Sequence, residues 1–497
     1  MGMISIANLK KAAYYLRRNG VKNTWYAARE RLEEGRKPPY CYVPPDTREL
    51  EAQRQEWTGQ GRERTGQDQE QTRQGIRASD WDGRIASGEE PEIVTFSIVV
   101  PTYQTGEQFL VELVESLFAQ TYPHWELILA DATADDSVAQ VARRWEQEGS
   151  PGERDARPWE DGRIRYCHLA SNGGIAGNTN AGIALARGAY VGLLDHDDLL
   201  TQDALHHMAR AILARRQEGV EPGLLYSDED KCNGDGSLFF EPNEKEDFNL
   251  DLLLCNNYIC HFLVMKRELI QELGFRQAYD GAQDYDLVLR AAERLLGEER
   301  QMVHIPRVLY HWRCHAGSTA ENPASKQYAY EAGGRAVQDF ADRQGWKAKV
   351  YPMKHLGFYR LHYEGEIFAS RPDLGAVGGR VLEKGRVAGG RMSAQGEVYY
   401  EGLREAYSGY LHRAVLFQDA QALDIRCIQV RKECRELFRQ VVGVPYRTRG
   451  AQGKGKGELF DASTLPGDCD WRSVSLALSQ ALRERGYRLL YDPERGI

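Results

Sequence analysis

Three carboxylates are concentrated at one point of the chain, between two apolar runs. The apolar sequence Val191–Leu194 leads into Asp195, Asp197 and Asp198, after which apolar residues resume. Carboxylates this close repel one another, and each is costly to remove from water without a partner. A divalent cation would offset the repulsion, and Mg²⁺ or Mn²⁺, which usually serve bound phosphates, prefer such oxygen ligands. The alternative is a strand end followed by an Asp that caps a helix, and the cluster alone does not separate the two.

The elements before the cluster must deliver it to a binding edge. Short apolar strands are predicted at 96–100, 125–130, 163–166 and 189–194, with helices at 110–120, 137–145 and 179–186 between them. This alternation predicts a doubly wound, mostly parallel α/β sheet with helices on both faces. Ligands bind such sheets at the carboxyl ends of the strands. Pro101, Asp131 and Asp195 all follow strand ends, which predicts one common site.

A glycine-rich segment, Ser171–Asn180, precedes the third helix. Glycines let the backbone approach a ligand closely, and the helix that follows favours an anion at its first turn. No Gly-Lys-Ser/Thr follows, so the segment is not a Walker loop. The alternative is an ordinary glycine turn with Asn caps.

The composition argues against several classes of protein. The chain has 497 residues and a formal net charge of −9, which argues against a nucleic-acid partner, because neutralising phosphates takes clustered Lys and Arg. Nine cysteines without a CxxC pair favour reduced thiols over disulfides or a zinc site. No apolar run approaches the ~20 residues that span a bilayer, and the N-terminus lacks a signal-peptide core. We therefore expect a cytoplasmic protein with no nucleic-acid partner.

Composition also divides the chain into four regions. These are an N-terminal helical segment (1–48), a disordered polar linker (49–92), the α/β domain (93–364) and a C-terminal region (365–497). The linker is rich in Gln, Arg, Glu and Gly and has too few aliphatic residues to offset its ordering entropy.

The N-terminal helix, from Ile6 to about Glu34, combines an apolar stripe with a basic face. Such a helix can lie on an anionic membrane surface, which would place the protein at the inner face of the plasma membrane. The alternative is a helix docked on the main domain with a solvated basic face, and that arrangement is the commoner one.

Seven motifs, in order along roughly half the chain, resemble those of glycosyltransferase family 2. The family consists of inverting enzymes with the Rossmann-like GT-A fold, and the nearest resemblance is to bacterial enzymes of surface-polysaccharide, O-antigen and cell-wall glycan assembly. The matching segments are Val99–Tyr103, Ser116–Pro123, Asn172–Ile175, Leu193–Asp198, Tyr226–Lys231, Gly281–Leu287 and Tyr310–Thr319. The resemblance implies transfer of a sugar from a nucleotide-sugar donor, UDP- or dTDP-linked, to a glycan or lipid-linked saccharide acceptor.

The resemblance also implies roles for particular residues on the donor side. It assigns Asp197 and His315 to a Mn²⁺ or Mg²⁺ ion that would neutralise the leaving diphosphate. The residues that it assigns to the nucleotide are Pro101, Thr102, Tyr103, Asp131, Asn172, Gly174 and Asp195. Two departures from the family pattern stand nearby: the acid after Asp131 is replaced by Ala132, and Thr179 stands where an Arg is common.

On the acceptor side, the resemblance makes Asp284 the catalytic base, which takes the proton of the attacking hydroxyl. Gln283 replaces the more usual Glu beside it. Asp286 could be mistaken for the base, but a first-turn carboxylate favoured by the helix dipole is the better interpretation. Asp228, Gln283 and Trp312 are predicted to face the sugar or the acceptor, although Trp312 could equally belong to the core.

Residues 365–497 resemble the second half of another such domain. Ile425–Glu433 parallels Ile259–Arg267, but the acid cluster is missing, and Asp470 stands near the position of the base without the Asp-aromatic-Asp pattern. We interpret the region as a degenerate second copy, with a predicted insertion at Gly450–Gly457. Two other functions stay open from the sequence: a non-catalytic binding module and a sugar-nucleotide nucleotidyltransferase. The latter requires a Gly-rich loop with Arg and Lys directly after the first strand, and Pro101–Thr105 has none.

Overall fold

The computed structural model describes residues 6–34, 39–58, 93–148, 162–315, 327–448 and 459–497. The chain forms two compact units. The first unit combines Tyr40–Phe248 with Ile259–Asn322, and the second combines Met1–Pro39, Asn249–Tyr258 and Pro323–Ile497. This division differs from the predicted domain end at residue 364, because the helix and hairpin that follow residue 326 belong with the C-terminal residues.

Helices and strands occupy much of the described chain. In chain order, the helices are α1 (Ile6–Glu34), α2 (Thr47–Thr58), α3 (Glu107–Phe118), α4 (Ser137–Glu148), α5 (Gly174–Leu185), α6 (Ala204–Gln217), α7 (Leu250–Leu253), α8 (Arg267–Leu273), α9 (Gln283–Arg294), α10 (Gln327–Arg343), α11 (Ile367–Ser370), α12 (Arg435–Val442) and α13 (Trp471–Glu484). The strands are β1 (Phe96–Thr102), β2 (Trp125–Asp131), β3 (Ile164–His168), β4 (Tyr190–Leu193), β5 (Leu199–Leu200), β6 (Leu224–Asn233), β7 (Phe239–Asn243), β8 (Leu263–Lys266), β9 (Met302–Cys314), β10 (Ala348–Pro352), β11 (Tyr359–Tyr363), β12 (Leu374–Glu383), β13 (Arg386–Gly389), β14 (Arg391–Met392), β15 (Gln418–Asp419), β16 (Ala422–Leu423), β17 (Ile428–Val430) and β18 (Arg488–Gly496).

The first unit is built on one sheet, with the strand order β3-β2-β1-β4-β8-β6-β9-β5 and with β7 beside β6. Strands β1 to β4 pair with one another in parallel, as the alternation of strands and helices predicts. Beyond β4 the sheet is mixed: β8 lies antiparallel between β4 and β6, and β9 runs parallel to β6. The predicted α/β class is therefore confirmed, and its parallel part is the half of the sheet that precedes the acid cluster.

Strands β1 and β2 of the parallel half are buried on both faces. Every residue of β2 is buried, and so is every residue of β1 except Pro101, as expected for strands covered by helices on both sides. Gly182 lets α5 lie directly on this sheet, because a Cβ there would stand 2.5 Å from Val99 Cγ1 and 3.3 Å from Ala130 Cβ. The tight packing fixes the strand ends from which the predicted site is built.

The predicted disordered linker begins with an ordered helix. Its first ten residues lie in α2, where Trp57 is buried and donates from Nε1 to His206 Nδ1 at 2.9 Å. Four residues earlier, Gln53 accepts a hydrogen bond from Thr121 Oγ1 at 2.8 Å. Trp57 and Gln53 thus help to dock this helix, together with the ion pair of Glu56 with Arg210. An average of composition over 49–92 does not detect such individual contacts. The rest of the predicted linker, 59–92, lies outside the described residues.

The second unit contains a smaller mixed sheet in the order β13-β12-β18-β15, with β17 also paired to β12. Its core is formed by Phe438, Leu478, Leu482 and Leu489, contributed by α12, α13 and β18. This sheet is the partial second α/β subdomain that the sequence predicts. The predicted insertion at Gly450–Gly457 lies outside the described residues.

Helix α1 belongs to the second unit and is kinked at Gly20, where φ is +75°. It docks through polar contacts, since buried Glu30 accepts hydrogen bonds from the backbone N–H groups of Ser408 (3.1 Å) and Gly409 (2.6 Å). The docked alternative for this helix is therefore supported. Its apolar stripe is nevertheless outside: Trp25 is 55% and Leu32 73% exposed. No helix in the described part of the chain has both the length and the apolarity needed to cross a membrane.

Candidate active site

The acid cluster is held by its last member. Asp198 is buried, accepts hydrogen bonds from Tyr310 Oη at 2.5 Å and from the Arg313 backbone N–H at 2.7 Å, and lies just before β5. Burial, together with the charges of Asp195 and Asp197, raises the pKa of the Asp198 carboxyl well above its ordinary value. Asp198 thus anchors the turn, while the side chains of Asp195 and Asp197 are partly exposed, by 49% and 20%.

The two residues assigned to a metal ion meet in the structure. His315 follows β9, and its Nε2 lies 2.8 Å from Asp197 Oδ2. The His315 ring packs beside Phe109, with ring centroids 4.8 Å apart. Arg313 fixes the other side of the pair, because its Nε donates to the Asp197 carbonyl at 2.7 Å.

This donor set fits a divalent cation that is shared with a phosphate-bearing ligand. Within the part of the chain that the structure describes, no group of three or more His, Cys, Asp or Glu side chains is arranged to hold a metal. One carboxylate and one imidazole would leave the remaining positions to phosphate oxygens and water, as Mg²⁺ and Mn²⁺ sites that serve phosphates commonly do.

On the nucleotide side, Asp131 ends β2 and is fully buried. It accepts hydrogen bonds from Thr102 Oγ1 (3.0 Å), the Thr133 backbone N–H (3.0 Å) and Tyr166 Oη (2.9 Å). The carboxylate therefore already has three donors from the protein, and Tyr166 is one that the sequence did not indicate. Tyr103, just past β1, is 46% exposed and offers an aromatic face at the same edge of the sheet.

The glycine-rich segment forms a tight turn into α5. Asn172 Oδ1 accepts from the Gly174 backbone N–H at 2.9 Å and from Asn178 Nδ2 at 3.1 Å. Gly174 has φ of +73°, which a residue with a side chain rarely adopts. The Asn caps of the alternative interpretation are present, and they coexist with a helix N-terminus at the carboxyl end of the parallel strands.

Asp284 lies in the first turn of α9, where Cys260 Sγ approaches its Oδ2 at 3.4 Å. Gln283 turns back to accept from the Gly281 backbone N–H at 2.7 Å. Asp286 is buried and accepts hydrogen bonds from Arg276 Nε and Arg290 Nε, both at 3.0 Å. A carboxylate held between two guanidinium groups is a structural ion pair, which agrees with the interpretation of Asp286 as a helix carboxylate.

Asp228 and Trp312 have different surroundings. Asp228 is buried, with Oδ1 accepting from the Lys245 backbone N–H and lying 2.8 Å from His304 Nε2. The prediction that it faces the sugar or the acceptor is therefore not supported by its environment. Trp312 is half-buried, its ring lying 5.3 Å from Lys231 Nζ and 5.6 Å from the His261 ring, and it retains surface beside the site.

Sequence reasoning missed a charged group beside the cluster. His261 Nδ1 lies 3.1 Å from Glu229 Oε2, and fully buried Lys245 contacts the same oxygen at 3.1 Å. Burial opposes ionisation of Glu229, but the charges of Lys245 and His261 outweigh it and lower its pKa to about 2. Glu229 belongs to one of the seven motifs, whereas Lys245 and His261 reach it only through the pairing of distant segments and leave no local signal.

Part of the chain is similar to known proteins. The model of the family described as "Glycosyl transferase family 2" matches residues 97–274. Over 254 residues the chain is 40% identical to the uncharacterized protein y4gI of Sinorhizobium fredii, covering 51% of this chain and 26% of that protein. Over 291 residues it is 35% identical to the O-antigen biosynthesis protein RfbC of Myxococcus xanthus, covering 56% of this chain and 21% of RfbC.

The chain thus spans about a quarter of the length of these two relatives. Among solved structures, S. aureus TarS 1–349 in complex with UDP-GlcNAc aligns with a TM-score of 0.38 at 18% identity, covering 50% of this chain and 66% of that one. The family model spans β1 to α8 and includes the acid cluster, the glycine-rich turn and the ends of the parallel strands. Residues 97–274 of this chain therefore belong to glycosyltransferase family 2.

Proposed function

We propose that the chain is a metal-dependent inverting glycosyltransferase that moves a sugar from a UDP- or dTDP-sugar to a glycan or lipid-linked acceptor. The proposal is carried by one observation: the proposed metal ligands and the proposed base lie in one cluster. The Asp197–His315 pair adjoins Asp195. Asp284 is linked to Asp195 through contacts of Cys260 and His261. The family of the domain and the name of the relative RfbC, an O-antigen biosynthesis protein, support a role in bacterial surface-polysaccharide synthesis.

On the donor side, Asp197 and His315 would hold Mn²⁺ or Mg²⁺, which as a Lewis acid would neutralise charge that develops on the leaving diphosphate. Asp195 has an exposed carboxylate beside them that can accept from the ribose hydroxyls. The N-terminus of α5, with the Asn172–Gly174 turn, would favour the negative diphosphate. Tyr103 would pack against the base, with Pro101 and Thr102 behind it.

On the acceptor side, Asp284 would take the proton from the attacking hydroxyl. The acceptor oxygen then forms a bond to the anomeric carbon while the bond from that carbon to the diphosphate oxygen breaks. This single displacement inverts the configuration at the anomeric carbon. Trp312 and Gln283 are proposed to border the acceptor.

A donor panel tests the proposal. The full chain is incubated with UDP-, dTDP- and GDP-sugars in Mn²⁺ or in EDTA, and nucleotide release is measured with and without saccharide acceptors. We expect release from one nucleotide class, strongly reduced by EDTA. Replacing His315 with Ala should weaken Mn²⁺-dependent nucleotide binding by about tenfold or more, since half of the protein's ligand pair is lost. Absence of both release and nucleotide binding in the wild type would contradict the proposal.

The peripheral membrane contact is a second, narrower candidate. The observation that favours it is the exposure on α1 of Val21 (77%), Trp25 (55%) and Leu32 (73%) beside the basic residues Lys22 and Arg31. The Trp25→Glu variant should lose co-sedimentation with anionic vesicles if the helix inserts its apolar stripe. The contact would be contradicted if the wild-type protein did not co-sediment with anionic vesicles, or if the Trp25→Glu variant co-sedimented as well as wild type.

A further inference from the structure

His261 lies beside the acid cluster and is immobilised on one side. Its Nδ1 is 3.1 Å from Glu229 Oε2, and its ring stacks on Tyr310 with centroids 4.7 Å apart and planes 10° apart. Lys245 holds Glu229 from the other direction and also donates to the carbonyl oxygens of Ile259 (2.6 Å) and His261. Segments that are distant in the sequence therefore combine to fix the orientation of one imidazole.

The other ring nitrogen faces the acid cluster. His261 Nε2 lies 4.0 Å from Asp195 Oδ2 and 3.4 Å from Cys260 Sγ. The same sulfur is 3.4 Å from Asp284 Oδ2, so His261 stands between the proposed ribose contact and the proposed base. Burial disfavours a charged imidazole, but Cys260 and Glu229 more than compensate and raise the pKa of His261 well above its ordinary value.

Asp195 needs such a neighbour. Its carboxylate is half exposed and lies near two like charges, Asp197 and Asp284. Without a nitrogen at ion-pair distance, the carboxylate would be repelled by these neighbours and free to rotate, and binding would then have to supply the cost of ordering it.

We propose that His261 is a positioning residue, which orients the Asp195 carboxylate for the ribose hydroxyls of the nucleotide donor. The inference rests on the proposed function. It adds His261, which is not among the residues proposed to contact the donor or the acceptor. Glu229, held by Lys245, fixes the orientation of the His261 ring. Nε2 of that ring orients the Asp195 carboxylate, and Asp195 contacts the nucleotide. His261 acts through Asp195, so its loss should weaken nucleotide binding more than it slows the transfer step.

Two substitutions separate the two ring nitrogens. His261→Asn retains an amide near Nδ1, where it can still donate to Glu229, but leaves nothing at Nε2. His261→Gln places its amide near Nε2, toward Asp195. The affinity for UDP and for dTDP in Mn²⁺ is measured by calorimetry, donor KM and kcat are measured by nucleotide release, and thermal unfolding is followed in parallel.

We expect His261→Asn to raise both the nucleotide Kd and the donor KM about tenfold, with kcat within about threefold of wild type. His261→Gln should stay within about threefold of wild type in all three. His207→Gln is the matched control, since His207 Nε2 also pairs with a carboxylate, Asp203 Oδ2 at 3.1 Å, outside the site. It should leave Kd, KM and kcat unchanged.

The outcomes are distinct. Wild-type affinity in His261→Asn would overturn the inference, and so would an equal loss in the Asn and Gln variants, which would indicate a purely structural ring. In both cases the proposed function would stand, because wild type would still bind nucleotide and release it from a donor. A wild type that neither binds UDP or dTDP nor turns over any donor would overturn the proposed function together with the inference.

Discussion

The three carboxylates Asp195, Asp197 and Asp198 have different environments, and these determine which carboxylate stabilises the fold and which are available to a ligand. Asp198 is buried and accepts from Tyr310 and the Arg313 backbone, Asp197 pairs with His315, and Asp195 is half exposed. A buried carboxylate that accepts two protein donors stabilises the turn, whereas an exposed one is available to a ligand. Within the cluster, the residue that matters most for folding is therefore not the one that would meet the substrate.

Replacing Asp198 tests this division. Asp198→Ala leaves the Tyr310 hydroxyl and the Arg313 N–H without their acceptor, which should lower the free energy of unfolding by about 2–4 kcal/mol. Urea denaturation of the full chain measures the loss. Asp197→Asn is the matched control, with an expected loss below about 1 kcal/mol, because the Asp197 side chain is partly exposed. Equal losses in the two variants would contradict the division.

At the level of single residues, the sequence predicted which side chains lie near the site better than it predicted the direction in which each side chain points. The family resemblance assigned Asp197 and His315 to one ion, and their side chains meet in the structure. Asp286 was expected as a first-turn helix carboxylate, but its pairing with Arg276 and Arg290 was not predicted. The inward turn of Asp228 was not predicted either, because its partner His304 stands 76 residues away and is brought close only by the pairing of β6 with β9. Side-chain direction along a buried strand depends on such partners, and these leave no local pattern.

At the scale of elements, one of the hydrogen bonds that hold α2 against the rest of the first unit depends on protonation. Trp57 Nε1 donates to His206 Nδ1, which can accept only while that nitrogen carries no proton. Burial, with the nearby charges of His207 and Arg210, lowers the pKa of His206 from 6.5 to about 3.

The sign of the pH dependence follows from this depressed value. Between pH 6.5 and 3 the unfolded chain binds a proton at His206 that the folded chain does not. The free energy of unfolding is therefore highest above pH 6.5 and decreases as the pH is lowered. The slope is at most about 1.4 kcal/mol per pH unit, or roughly 2 kcal/mol between pH 6.5 and 5. Urea denaturation at the two pH values should show that the drop is smaller by this amount in His206→Gln. Identical drops in wild type and variant would contradict the burial of a neutral His206.

The elements themselves were predictable where the strands are local and parallel. The strands and helices from residue 96 to residue 194 follow apolar runs and helical spacing, and each exists within a few residues of its predicted bounds. The antiparallel insertion of β8 between β4 and β6 was not predicted, because periodicity indicates a strand without indicating its neighbour. The α2 helix was missed because its docking depends on His206 and Thr121, far along the chain.

On the scale of the whole molecule, the second unit repeats the pairing of β8, β6 and β9 that the first unit contains. In the first unit, Leu225 of β6 lies opposite Val264 of antiparallel β8 and Val303 of parallel β9. In the second, Ala376 of β12 lies opposite Val430 of antiparallel β17 and Leu489 of parallel β18.

The sequence parallel between Ile259–Arg267 and Ile425–Glu433 places Val264 on Val430, which is the same register. We therefore keep the proposal that residues 365–497 derive from a second copy of the domain. The repeat is partial, because the tail carries no counterpart of the acid cluster.

This proposal predicts one active centre. Asp470, which stands where a second base would be, caps α13 by accepting from the Arg472 N–H at 3.1 Å and from Ser473 Oγ at 2.5 Å. Asp470→Asn should keep turnover within about twofold of wild type, because a capping residue contributes only about 1 kcal/mol to stability. Nucleotide release measures turnover, and a loss as large as that of a site variant would contradict a single centre.

The proposed sugar transfer depends on Asp284 as the base, and the Asp284→Asn variant removes that base while it keeps the shape of the side chain. Nucleotide release from the active donor, in Mn²⁺ and with acceptor, is compared with calorimetric binding of the nucleotide to the same protein. We expect the rate to fall by ~10²-fold or more while nucleotide affinity stays within about threefold of wild type, because the base acts on the acceptor and not on the donor. A variant that turns over at the wild-type rate would contradict the account.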